Sequence, residues 1–150
     1  MTEEKFREII DFAIANEKNA AEFYAGMQKM MKHEWTRKML KELELMELGH
    51  MEILQRFETE GLEHYSAPKI TDLKISDYME DIVPREDLTF QEVLITAMKK
   101  EENAKNLYLD LAKKTDNDLA RNLFLKLAGE EAKHKLQLET IYDEEILVEN

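Results

Sequence analysis

The sequence predicts an all-α fold, a four-helix bundle built from two antiparallel helical hairpins that a long crossover joins. Apolar residues recur every three or four positions along four long segments, which is the spacing that buries one face of a helix. Helix breakers are rare, with only four Gly and two Pro in 150 residues. Both prolines, Pro68 and Pro84, fall between about residues 62 and 88, so this stretch is the predicted crossover.

Each helix is placed by the signals at its ends. Gly61 ends the second helix, Thr89 to Glu92 have the form of a capping box, and the segment KKTDNDLA supplies capping residues for the fourth. The predicted helices cover about residues 2–31, 34–61, 89–115 and 117–146. A single domain follows, with hairpin 1 at about 2–61, the crossover at about 62–88 and hairpin 2 at about 89–146. Helices of this length span roughly 45 Å, so the crossover is long enough to run back along the bundle.

Composition excludes several classes of function. The absence of cysteine excludes disulfides, thiolate metal sites and iron–sulfur clusters held by this chain. A net charge of −12 argues against nucleic acid or an anionic membrane as a partner, since both need clustered Lys and Arg. Because no apolar run is long enough for a membrane span or a signal peptide, the sequence predicts a cytoplasmic protein.

The apolar stripe of every helix is interrupted near its middle by acidic residues. Helices one and three each carry one Glu there, and helices two and four each carry Glu-x-x-His. A shift of 84 residues superposes the two hairpins and so reveals an internal repeat. The superposed pairs are Glu17 and Glu101, Tyr24 and Tyr108, Glu47 and Glu131, and His50 and His134.

These interruptions predict a metal site in the middle of the bundle. Each ligand Glu lies some 15 residues from the turn of its hairpin, so all six groups should meet at one depth. Four buried carboxylates are prohibitively costly unless they are protonated or neutralised, and no Lys or Arg occupies the stripes. Two divalent ions would balance them, with two neutral imidazoles completing a ligand set that suits Fe, Mn or Zn. The alternative is a metal-free bundle whose polar centre only fixes helix register.

Residues around the predicted site have their own expected roles. Tyr24 and Tyr108 lie two turns beyond Glu17 and Glu101 and could hydrogen-bond a ligand carboxylate, although either could also be an ordinary core tyrosine. Glu130 lies about 100° around the helix from the ligands, so it is expected to be solvated. Most methionines, including Met46, are expected to fill the core.

The set formed by Glu17, Glu47-x-x-His50, Glu101 and Glu131-x-x-His134 resembles the di-iron ligands of the ferritin-like superfamily, and those of the rubrerythrin family most closely. The resemblance covers nearly the whole chain and implies a ferritin-like bundle that binds two iron ions, with Mn or Zn as substitutes. It implies that one iron is held by Glu17 and His50, the other by Glu101 and His134, and that Glu47 and Glu131 bridge them.

The chain departs from the rubrerythrin pattern in two places. Rubrerythrins usually carry a rubredoxin-like iron centre on four cysteines, so this chain would need an external electron donor such as a rubredoxin-like protein. They also tend to have a further ligand Glu where this chain has Ala104, which leaves a more symmetric site, similar to that of bacterioferritin. The resemblance also allows a homodimer.

The function that the resemblance implies is that of a di-iron carboxylate oxidoreductase active in oxidative stress. It would oxidise Fe(II) and reduce peroxide or dioxygen with electrons from the external donor. Two alternatives stay open from the sequence. One is a non-catalytic iron-binding or buffering protein, and the other is a di-iron hydroxylase whose substrate the sequence does not identify.

Overall fold

A computed structural model describes residues 3–61 and 88–143, which form helices and no strand. The four helices are α1 (Glu3–Gln28), α2 (Glu34–Arg56), α3 (Phe90–Lys114) and α4 (Asp118–Tyr142), and a π-helical turn over Phe57–Gly61 extends α2. The all-α prediction is therefore confirmed. The predicted crossover, apart from Leu88, and the predicted end of the last helix near residue 146 lie outside the described residues.

Packing at one end of the bundle fixes the direction of each helix. The start of α1 and the end of α2 meet there, together with the end of α3 and the start of α4. The ring of Phe57 makes edge contacts with Phe6 and Phe124, at centroid distances of 6.0 and 6.1 Å. Each hairpin is therefore antiparallel while α2 and α3 run parallel, and this is the ferritin-like order of helices.

A second apolar cluster closes the other end of the bundle. It contains Phe23 and Met27 from α1, Leu40 from α2, Leu94 from α3 and Leu138 from α4, all at most 1% exposed. Between the two clusters the middle of the bundle holds buried acidic and imidazole side chains. The apolar ends thus shield a polar centre from water.

Side-chain caps fix where the helices of the second hairpin begin. The backbone N–H of Glu92 donates to Thr89 Oγ1 at 3.1 Å, and Glu92 Oε1 accepts from the backbone N–H of Thr89 at 3.2 Å, so the predicted capping box is confirmed. The backbone N–H of Ala120 donates to Asn117 Oδ1 at 3.0 Å in the same way at the start of α4. These caps satisfy backbone donors that the first turn of a helix leaves unpaired.

The outer faces of the helices are charged. Ion pairs such as Lys5–Glu8 at 3.3 Å and Arg56–Glu52 at 3.1 Å lie in solvent, where such pairs contribute little to stability. Within the part of the chain that the structure covers, every helix is too short or too polar to cross a membrane.

Replacing Thr89 with Ala should lower the free energy of unfolding by about 1 kcal/mol, because the first turn of α3 loses its capping acceptor. For a chain of this size, that loss corresponds to a fall in Tm of about 2–4 °C. Thermal unfolding followed by circular dichroism measures the change. Thr89→Ser keeps the hydroxyl and should match the native protein, whereas an equal loss in both variants would contradict the capping role.

Candidate metal centre

The buried centre receives side chains from all four helices. Helices α1 and α3 contribute one Glu each, and α2 and α4 contribute a Glu and a His three residues apart, which places both on the same helix face. All six residues are at most 2% exposed. The structure therefore brings together every residue in the predicted set: Glu17, Glu47, His50, Glu101, Glu131 and His134.

These side chains form two overlapping groups of potential ligands. One group comprises Glu17, Glu47, His50 and Glu131, and the other comprises Glu47, Glu101, Glu131 and His134. Within each group the ligand atoms all lie within 4.8 Å of one another. Glu47 and Glu131 are common to both groups, which is the arrangement that two neighbouring ions with bridging carboxylates require.

The two histidines turn the same nitrogen toward the carboxylates. His50 Nδ1 lies 2.7 Å from Glu131 Oε1, and His134 Nδ1 lies 2.9 Å from Glu47 Oε1. Their rings are stacked, with centroids 5.9 Å apart and an interplanar angle of 15°. The contacts of the two hairpins are therefore nearly equivalent at the centre, as the internal repeat predicts.

Each hairpin contributes one buried tyrosine that hydrogen-bonds a carboxylate of the other hairpin. The hydroxyl of Tyr24 donates to Glu101 Oε1, and the hydroxyl of Tyr108 donates to Glu17 Oε1. Burial raises the pKa of both phenols well above the usual 10.0, so both hydroxyls keep the proton that they donate. Each tyrosine thus fixes one carboxylate oxygen and leaves the second oxygen of that carboxylate for another partner.

The second carboxylate oxygens of Glu17 and Glu101 show that a cation fits this centre. Glu17 Oε2 and Glu101 Oε2 are buried and accept no hydrogen bond, although a buried acceptor without a partner is costly. They lie 3.5 Å from His50 Nδ1 and 3.4 Å from His134 Nδ1, respectively. Two unpaired carboxylate oxygens beside two imidazole nitrogens form a donor set that suits first-row divalent metals.

Without metal, the centre can limit its charge only by holding protons. Burial raises the pKa of Glu17 and Glu131 well above the usual 4.5. Burial would lower the pKa of His50, but the nearby carboxylates of Glu17 and Glu47 outweigh this effect and raise the pKa to about 11. The nearby carboxylates of Glu101 and Glu47 likewise overcome burial and raise the pKa of His134 to about 9. A metal ion must displace these protons in order to bind.

Two residues that touch the outer side of the centre contradict their sequence-based predictions. Glu130 was predicted to be solvated, but its side chain is only 26% exposed and its Oε2 contacts His50 Nε2. Met46 was predicted to fill the core, but it is 42% exposed and its Sδ lies 3.1 Å from His134 Nε2. Both residues directly precede a buried Glu. At this position each helix faces the histidine of the opposite hairpin. The internal repeat superposes Met46 on Glu130 and so makes the two positions equivalent, but it does not indicate which side chain lies across from them.

A cleft leads to the centre between α1 and α3. Its space of about 310 Å³ includes open solvent, and its walls carry four of the buried acids together with Asn16, Ala20, Lys100 and Ala104. The repeat superposes Ala20 on Ala104, so a small side chain stands on each side of the opening. The histidines approach the centre from α2 and α4, and the cleft therefore reaches it from the opposite side.

Comparison with known proteins supports the predicted resemblance. A family model for rubrerythrin matches residues 92–150, a segment that contains Glu101, Glu131 and His134. No curated protein matches the chain.

Two solved structures share the fold across nearly all of the chain. A hypothetical protein from Pyrococcus furiosus has a TM-score of 0.73 at 23% identity, with 95% of this chain and 94% of that chain covered. A candidate ferritin-like diiron-carboxylate protein from Thermotoga maritima has a TM-score of 0.69 at 24% identity, with 91% and 93% covered. The ferritin-like fold is thus confirmed, and the resemblance to rubrerythrins is confirmed by sequence in the second hairpin.

The metal-free protein should lose stability as the pH rises from about 5 to about 9. In this range the folded state binds more protons than the unfolded state, because the pKa values of His50, His134, Glu17 and Glu131 are all raised. The free energy of unfolding must then fall with pH. We expect Tm to drop by at least about 5 °C, which corresponds to between 1 and 3 kcal/mol for a chain of this size.

Thermal unfolding of chelator-treated protein at a series of pH values measures this dependence. Glu17→Gln combined with Glu131→Gln keeps two neutral side chains in place of two raised carboxyls, and should flatten the curve. A divalent metal should stabilise the protein more at high pH than at low pH, because its ligands must be deprotonated. A Tm that stays constant or rises between pH 6 and 9 in the metal-free protein would contradict the protonated centre.

Proposed function

We propose that this protein is a di-iron carboxylate oxidoreductase that couples the oxidation of Fe(II) to the reduction of peroxide or dioxygen. The observation that carries the proposal is the pair of overlapping ligand groups in the buried centre of the bundle, with Glu47 and Glu131 common to both. Carboxylates shared between neighbouring groups are the feature expected of two ions held a few ångströms apart. A polar core that only fixed helix register would not need two carboxylate oxygens left without a partner.

In the proposed site each hairpin supplies the terminal ligands of one ion. Glu17 and His50 would hold the first, Glu101 and His134 would hold the second, and Glu47 and Glu131 would be shared between them. A Glu on two helices and Glu-x-x-His on the other two form the ligand pattern of ferritin-like carboxylate proteins. The hydrogen bonds from Tyr24 and Tyr108 orient the two terminal carboxylates.

Iron is the metal that we propose. Oxygen and imidazole donors also accommodate Mn and Zn, but Zn has no redox chemistry. The rubrerythrin model match and the description of the Thermotoga maritima protein both favour iron. A bound iron pair would supply the exchange between Fe(II) and Fe(III) that no side chain of this chain provides.

The cleft between α1 and α3 supports a small oxidant rather than a large organic substrate. Its walls are mostly acidic or polar, and Ala20 and Ala104 contribute only methyl groups. A hydroxylase acting on an organic substrate would need a larger apolar wall to hold and orient it. Peroxide and dioxygen need no such wall, and the small side chains leave them a path to the face of the centre opposite the histidines.

An external protein should return electrons to the centre. The chain has no cysteine, so it cannot itself carry a rubredoxin-like iron centre on thiolates. We therefore propose a separate donor, such as a rubredoxin-like protein, for multiple turnovers.

An anaerobic titration of metal-free protein with Fe(II) should reach a break near two ions per chain. Glu47→Ala and His134→Ala should lower that stoichiometry and abolish peroxide consumption in the presence of a reductant, because each removes a ligand from the proposed pair. Exposed residues of the same types provide matched controls, and Glu52→Ala and His33→Ala should bind two ions and turn over normally. Circular dichroism must show that the variants remain helical.

Each outcome of this experiment separates the candidate functions. Native rates of Fe(II) oxidation in Glu47→Ala or His134→Ala would overturn the proposed site. Two bound ions without repeated peroxide or dioxygen turnover, when a reductant is supplied, would instead indicate an iron-binding or buffering protein.

Replacing Ala104 with Leu should slow peroxide consumption by about tenfold or more, because the larger side chain fills the opening of the cleft and raises the barrier to reaction. The stoichiometry of Fe(II) binding should stay unchanged, since Ala104 supplies no ligand atom. Stopped-flow measurement of peroxide consumption tests the rate. Ala132→Leu on the exposed face of α4 is the matched control, and equal rates in both variants would show that the oxidant enters elsewhere.

A further inference from the structure

The internal repeat fails at the residue that precedes each shared glutamate. Around the centre it superposes identical residues, including Glu17 on Glu101, Tyr24 on Tyr108 and Ala20 on Ala104. Directly before Glu47, however, stands Met46, and directly before Glu131 stands Glu130. One of these two equivalent positions therefore carries a carboxylate and the other a thioether.

Both side chains contact a histidine of the opposite hairpin on the nitrogen that points away from the centre. Glu130 Oε2 contacts His50 Nε2, and Met46 Sδ lies 3.1 Å from His134 Nε2. The Nδ1 atoms face the shared carboxylates, so they are the nitrogens available to a metal. A neutral histidine that binds metal through Nδ1 carries its proton on Nε2. Glu130 or Met46 must then accept that proton's hydrogen bond.

The two acceptors differ greatly in strength. A carboxylate accepts a strong, charge-assisted hydrogen bond that fixes the ring and makes the metal-binding nitrogen more basic. A thioether sulfur is only a weak acceptor. His50 is therefore the better oriented and more electron-rich ligand of the two, although the carboxylates near the two histidines are nearly equivalent.

We propose that Glu130 and Met46 make the two metal positions unequal, so that the ion held by Glu17 and His50 is bound more tightly than the ion held by Glu101 and His134. Glu130 acts as a positioning residue for His50, and Met46 leaves His134 without an equivalent support. This inference deepens the proposed function, from which it takes the two metal positions and their ligands. It does not depend on which oxidant reacts there.

Reciprocal substitutions test the inference, because the chain offers both versions of the contact. Metal-free protein is titrated anaerobically with Fe(II) in competition with a chromophoric chelator, and both binding steps are measured. Repulsion between neighbouring ions separates the two steps in every variant, so the diagnostic result is the change in their separation. Glu130→Met should weaken the tighter step by about 10- to 100-fold, the range found when a hydrogen-bond partner of a metal ligand is removed.

Met46→Glu should act on the other step. It gives His134 a carboxylate acceptor, so the weaker step should tighten while the tighter one stays nearly unchanged. The double variant Met46→Glu, Glu130→Met preserves the net charge and should reverse the order of the two positions. In the native background, His50→Ala should abolish the tighter binding step. In the background of the double variant, the same substitution should abolish the weaker binding step.

The controls distinguish the hydrogen bond from an effect on folding. Glu130→Gln keeps the size and an acceptor oxygen but loses the charge, so it should weaken the tighter step less than Glu130→Met does. Equal effects of Glu130→Met on both steps, or no effect on either, would overturn the inference while leaving two-iron binding intact. If the two binding steps respond to the substitutions as expected but the native chain turns over neither peroxide nor dioxygen, the oxidoreductase proposal is overturned and the inequality is supported. Failure of the native chain to bind two ions would overturn both.

Discussion

Four carboxylates buried at one point are the constraint on which the rest of this structure depends. A bare charge in a dry interior is prohibitively costly, so the centre must hold either protons or cations. Apolar clusters pack at both ends of the centre, and the two histidines stack beside the carboxylates, where their nitrogens can be neutral or protonated. The raised pKa values of Glu17 and Glu131 and the unpaired oxygens of Glu17 and Glu101 are two consequences of this one electrostatic problem.

The internal repeat brings equivalent carboxylates and histidines of the two hairpins to the same depth. Positions at which the repeat fails make the two hairpins differ. Gln28 donates to Glu44 at 2.9 Å across the first hairpin, whereas the repeat places Ala112 and Ala128 at the equivalent positions. At the cleft, Asn16 is likewise superposed on Lys100. The identical residues lie at the centre and the unlike ones around it. A nearly symmetric cluster of six buried side chains is thus surrounded by an asymmetric environment.

Much of the centre could be predicted from the sequence because two regularities fix it independently. The spacing of three and four residues determines which face of each helix is buried, and the repeat determines depth, so the positions of Glu47 and Glu131 follow from the sequence. Neither regularity describes a residue beside the stripe, because its environment depends on which helix lies across from it. The contacts of Met46 and Glu130 and the reach of Tyr24 to the other hairpin therefore required the structure.

The hydrogen bonds of the two tyrosine hydroxyls and the shortest contacts of the two histidine Nδ1 atoms all join one hairpin to the other. Tyr24 reaches Glu101, His50 reaches Glu131, and the reciprocal pairs do the same. Neither hairpin therefore contains a complete ligand group. Its acidic side chains would be exposed to water or to each other until the second hairpin packed against it. A duplicated segment with this property is, in effect, a dimer interface carried within a single polypeptide. Completion of the acidic cluster and packing of the two hairpins are then the same event.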